Sequence, residues 1–129
     1  MIDPYIALTR YLTGEGFGPV YTEMPNNQSL PRLPCVDLWP VAKSTAQHAF
    51  NAMGYDVHHI DVDLYLPRAM VSITGEGYAL ADKLRKTLFA FRDPRIRVRH
   101  VTAPHRRPDR NRDIRRLGLT ITLIIPQKG

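Results

Sequence analysis

Residues Tyr55-Asp56-Val57-His58-His59-Ile60-Asp61-Val62-Asp63-Leu64-Tyr65-Leu66 decide the fold. From Ile60 onward the even positions (Ile60, Val62, Leu64, Leu66) are apolar, while His59, Asp61, Asp63 and Tyr65 between them are polar or amphipathic. Successive side chains of a strand point to opposite faces, so this alternation predicts a strand with one face in the core and one exposed. Pro67 ends it. Downstream, Gly77, Leu80, Ala81, Leu84, Leu88 and Phe91 recur at helical spacing, with Asp82, Lys83, Arg85 and Lys86 between them. That stripe predicts an amphipathic helix over residues 75–91, stopped by Arg92-Asp93-Pro94.

Outward from this pair the signals are shorter. Asp3-Pro4 is a helix start, with a capping carboxylate and a preorganised first residue. Tyr5, Leu8 and Leu12 then make a helix of residues 4–13, halted by Gly14 and Gly16. Val20 to Glu23 reads as a short strand. Leu30 to Pro40 reads as an edge strand or extended arm, because Pro31, Pro34 and Pro40 lack ladder donors. Residues 41–54 fit either a helix capped by Ser44 or an inserted loop. Two later strands alternate: Ile96 and Val98 among Arg95, Arg97 and Arg99, then Leu117, Leu119, Ile121, Leu123 and Ile125. Between them, Pro104 to Arg112 has almost nothing to bury and reads as an exposed loop or hairpin extension. The expected fold class is α+β. A four- to five-stranded, mostly antiparallel sheet carries two helices on one face, with an Arg-rich β-hairpin or loop extension, in one domain spanning 1–129.

Composition narrows the class. The chain has 129 residues, 43% hydrophobic and 23% charged, which suits one folded core and excludes disorder as a description of the whole. One cysteine, Cys35, excludes an internal disulfide and any multi-cysteine zinc site. The longest apolar run, Leu119 to Pro126, is too short to cross a bilayer, and no secretory signal opens the chain, so a soluble protein without membrane contact is expected.

The net charge of +6 is concentrated in one place. Arg92, Arg95, Arg97, Arg99, Arg106, Arg107, Arg110, Arg112, Arg115 and Arg116 face only Asp93, Asp109 and Asp113 there, leaving eight cations against nine anions elsewhere. Such a segment calls for a local anionic partner or an acidic neighbour. It lacks interleaved aromatics for stacking single strands and carries no recognition helix for a duplex groove. Three readings stay open: contact with a neighbouring subunit, for which arginine is the favoured cation, contact with double-stranded nucleic acid, or a solvated loop.

No catalytic constellation emerges, and no enzyme, metal or cofactor is expected. His59, Asp61 and Asp63 share a strand face at ligand-like spacing, but nothing supplies ligands from other elements, so a polar strand face is the preferred reading. Gly75-Glu76-Gly77 lacks the lysine of a phosphate loop and reads as a helix start. Cys35, between Pro34 and Val36, reads as a small buried hydrophobe. Ser29, Ser44 and Ser72 have no nucleophile motif around them.

Taken in order, several segments resemble the tail terminator (tail completion) proteins of long-tailed bacteriophages. They are Tyr5-Ile6-Ala7-Leu8, Leu33-Pro34-Cys35-Val36-Asp37-Leu38, Ile60-Asp61-Val62-Asp63-Leu64-Tyr65, Ala79-Leu80-Ala81-Asp82-Lys83-Leu84 and Arg115-Arg116-Leu117-Gly118-Leu119-Thr120-Ile121. The resemblance lies in element order and spacing across most of the chain, and other head–tail joining proteins share much of it. It implies a structural virion protein, assembled in the host cytoplasm, forming a hexameric ring that caps the tail tube and joins it to the head connector. Genomic DNA would pass through the lumen without sequence-specific contact. On this view the partners are further copies of the chain, the tail tube protein and the connector proteins. Arg99, Arg106, Arg107, Arg110 and Arg112 are then expected at subunit contacts, with Leu33, Val36 and Leu38 on a lateral edge. Asp61 and Asp63 are expected to face the lumen and repel passing DNA. The alternatives are another head–tail connector or neck ring protein, or a basic double-stranded nucleic-acid-binding protein.

Overall fold

The computed structural model describes residues 3–22, 32–41, 45–47, 54–108 and 112–126. The elements are α1 (Pro4–Gly14), β1 (Val20–Tyr21), β2 (Cys35–Pro40), β3 (Thr45–Gln47), β4 (Tyr55–Pro67), α2 (Arg68–Ser72), α3 (Glu76–Phe89), β5 (Arg97–Val101), β6 (His105–Arg107) and β7 (Ile114–Pro126). The sheet runs β1-β2-β4-β7-β5, with β3 paired to β4 and β6 paired to β7. All pairings are antiparallel except β1 with β2.

The spine is the β4–β7 ladder, thirteen residue pairs from Tyr55↔Pro126 to Pro67↔Ile114. The alternation in both strands now has a partner. Ile60 meets Ile121, Val62 meets Leu119 and Leu64 meets Leu117, all at most 1% exposed. Val36 and Leu38 extend the same layer across β2. Leu8 and Leu12 of α1, Val71 of α2, and Ala81, Leu84 and Leu88 of α3 cover it, so the helices share one face.

Local chemistry sets each helix. The Asp3 carboxylate accepts from the Tyr5 amide at 2.8 Å and the Ile6 amide at 3.4 Å, satisfying donors that the first turn leaves free. Gly75 precedes α3 with φ of 73°, a backbone state that glycine adopts without steric cost. Glycine at 75 therefore serves the helix start. The Tyr11 hydroxyl donates to the Thr87 carbonyl at 2.7 Å and ties α1 to α3.

The fold class is as the sequence indicates, with more elements than expected. Among the described residues there are three helices, because five residues after β4 form α2, and seven strands, because β3 and β6 are too short for a periodicity signal. Thr45–Gln47 is strand, so the helical option for residues 41–54 does not hold there; residues 42–44 and 48–53 lie outside the described residues. Leu30 to Pro40 was expected at an edge. Instead β2 lies inside the sheet order, with β1 along Val36 and Asp37 and β4 along its full length.

Candidate assembly surface

The side of the sheet away from the helices gathers Cys35, His59, Asp61, Asp63 and Arg107 from among the residues singled out from the sequence. Across the ladders, Cys35, Tyr65, Arg116 and Arg107 form one row, and Asp37, Asp63, Gly118 and His105 form the next. Trp39, Asp61 and Thr120 make a third; His59, Thr122 and His100 make a fourth.

β5 and β6 act as one interrupted strand along β7. β5 pairs from Arg97↔Ile124 to Val101↔Ile121, with an irregularity between Val98 and His100 that places Arg99 at a bulge. The Thr102 amide donates to the Thr120 carbonyl at 3.0 Å, and β6 continues from His105↔Gly118 to Arg107↔Arg116. Part of the stretch expected as a loop or hairpin extension thus lies along the sheet. Residues 109–111, Arg110 among them, lie outside the described residues.

Arg107 reaches back over the open face. Its Nη2 donates to Asp61 Oδ1 at 3.0 Å, and its Nε lies 2.9 Å from Asp63 Oδ1. The side chain crosses β7 at Gly118, where a β-carbon would overlap Nε. Glycine inside a strand weakens it and often marks close approach of another group, which is the case here. The Thr120 hydroxyl donates to Asp61 Oδ1 at 2.7 Å, and Arg116 lies 3.7 Å from the second oxygen of Asp63. Arg116 also donates to the Tyr65 hydroxyl at 3.1 Å and to the Pro108 carbonyl at 2.6 Å.

Burial makes this cluster electrostatically strong. Asp63 is 4% exposed and Asp37, opposite it on β2, is fully buried. Burial raises the Asp63 carboxyl above its ordinary range, with Arg107 and then Arg116 pulling it back. Asp37 is pushed up to about 6, chiefly by burial and further by the charge of Asp63, against the Trp39 indole and Arg116. Cys35 beside it is buried and free, its thiol raised to about 11 by burial and then by Asp37.

These placements revise several expectations. Asp61 and Asp63 do share the open face, but Arg107 and Arg116 neutralise them, so they do not present free negative charge. Val36 and Leu38 are 1% and 0% exposed, spent in the protomer's own core, and their side chains cannot form a lateral contact. Leu33 is half-buried against Cys35, Tyr65 and Ile114. Arg99, Arg106 and Arg112 are exposed, as a contact surface requires, whereas Arg107 is half-buried. His59 is engaged with the Thr122 hydroxyl at 3.0 Å, and no His, Cys, Asp or Glu cluster suited to a metal occurs among the described residues. Gly118, Asp37 and Arg116 had no part in the expected site. A glycine amid the apolar alternation of β7 was the signal for the first.

No helix among the described residues is long and apolar enough to cross a membrane. No family model and no curated protein matches the sequence. Among solved structures, the fold is similar to a chain in the virion of a native gene transfer agent particle. The TM-score is 0.54 at 17% identity, over 95% of this chain and 91% of that one. At that identity the likeness is one of fold.

Proposed function

We propose that this chain is a structural protein of a phage-like virion, and within that class a tail terminator. It forms a ring, hexameric by the sequence resemblance, at the head-proximal end of the tail tube. There it ends tube polymerisation and joins the tail to the head connector, with genomic DNA passing through the lumen. The observation that carries this reading is the fold likeness to a virion component, which extends over nearly the whole of both chains. It agrees with the element order that resembles tail terminators.

The charge distribution supports an assembly role. Arg97, Arg99 and Arg106 are exposed along the β5–β6 edge and form no ion pair with any described residue. A ring needs one patch to dock on a different patch of the next subunit, and unpaired arginines on a sheet edge suit one side of such a contact. We assign the exposed Arg99, Arg106 and Arg112 to that contact. The open sheet face is assigned to the lumen, where Asp61 and Asp63 neutralise Arg107 and Arg116 and so leave little positive charge to retain DNA.

Mixing the purified protein with tail tube protein tests the reading. Tubes of limited length, each capped at one end, are expected; unlimited tubes that ignore the added protein would contradict it. The same unpaired arginines favour duplex DNA as the second reading, in which affinity falls steeply with added salt.

A further inference from the structure

We propose that Arg107 is a positioning residue and not a contact: seated over Gly118 between Asp61 and Asp63, it fixes β6 so that Arg106 faces outward to a neighbouring subunit. The proposal rests on the ring-forming reading above and separates two roles within one arginine cluster.

Beyond its three-residue ladder with β7, β6 has little else to hold it. It is three residues long, His105 and Arg106 are exposed, and the flanking Pro104 and Pro108 have no amide hydrogens to donate. A strand this short buries too little to order itself. The anchor is therefore polar, and four strands contribute to it. β6 supplies Arg107, β4 supplies Asp61 and Asp63, and β7 supplies Gly118, Thr120 and Arg116, while β2 backs Asp63 with Asp37. Removal of water strengthens the pairing, since Asp63 is 4% exposed. Arg116 fastens the far end of β6 through the Pro108 carbonyl.

Alternation then sets the outward residue. Arg107 lies on the open face, so Arg106 points to the other side of the strand, where it is exposed. An exposed arginine on an unfixed segment would lose much of its contact energy to ordering. A seated Arg107 removes that loss before the subunits meet.

The test uses Gly118→Ala in the full chain. Gly118 has no positive φ, so alanine suits its backbone, and the three atoms nearest to an added β-carbon all belong to the Arg107 side chain. The expected result is at least tenfold faster hydrogen exchange at the β6 amides with β4 unchanged, and at least a tenfold rise in the concentration needed for oligomers. Arg107→Ala should do the same, with the double variant no worse than either alone, which guards against a folding defect peculiar to one variant. Unchanged β6 protection in both variants would overturn the proposal. So would a freed β6 with assembly intact, and that result would leave the ring reading standing. A wild-type chain that never assembles would remove the ring reading and this role together.

Discussion

Asp37 stands directly across from Asp63 in the β2–β4 ladder, so two buried carboxylates share one face of the sheet. Arg107 and Arg116 attend Asp63, while Asp37 is fully buried and forms no ion pair with any described residue. The folded chain therefore favours Asp37 in its protonated form, with a pKa of about 6 against an ordinary 3.8. A carboxyl raised in the folded state binds its proton more tightly there than in the unfolded chain. Its contribution to stability is complete below the unfolded pKa and is lost as pH rises through about 6. Asp37→Asn should thus stabilise the protein at pH 8 by about 3 kcal/mol, and the gain should vanish below pH 4. Urea denaturation of both proteins at pH 4, 6 and 8 measures this.

Cys35 should be nearly inert in the native protein. With its thiol at about 11 in place of 9.0, the reactive thiolate at pH 8 is about a hundredfold scarcer than in the unfolded chain. Burial slows the reaction further. Labelling with a coloured disulfide reagent should proceed only as fast as the protein opens, and should become immediate in denaturant. Rapid labelling of native protein would show that the β2 end of the sheet is less closed than described.

Gly77 should not tolerate alanine. In an ordinary helix this change gains up to about 1 kcal/mol from propensity. At position 77 a β-carbon would lie 2.7 Å from Leu66 Cδ1, 3.0 Å from Val71 Cγ2 and 3.2 Å from the Met70 carbonyl. Leu66 is fully buried and the Met70 oxygen is backbone, so neither can easily yield. Overpacking of this kind costs about 1–3 kcal/mol and should outweigh the helix gain. A lowered Tm for Gly77→Ala is expected by calorimetry.

Arg106 and Arg112 should matter for association and little for folding. Both side chains are exposed, and surface changes away from packed features seldom move stability. The double alanine variant should keep the wild-type Tm while its oligomers dissociate at lower salt and after less dilution. Sedimentation velocity across a dilution series reads both.

The parts legible in the sequence were those with a long period. β4, β7 and α3 each repeat an apolar position four times or more, and Asp3-Pro4 has one structural use. β3, β6 and α2 span three to five residues, too few for any period to show. Charge misled in two places. Asp61 and Asp63 alternate with apolar residues as solvent-facing positions do, yet a long-range partner 44 or more residues away covers them. Arg107 looks like its exposed neighbours in sequence, and only the β6–β7 register with Gly118 shows where it goes. The prolines of the Leu30 to Pro40 segment point to an edge. Pro34 precedes β2 and Pro40 is its last residue, leaving Cys35 to Trp39 free to pair.

The proposed role requires that copies of this chain close into a ring. Negative-stain imaging of the purified protein, alone and with tail tube protein, measures that most directly. Six-fold particles with an open centre are the expected result. A uniform population of single subunits under both conditions would contradict it.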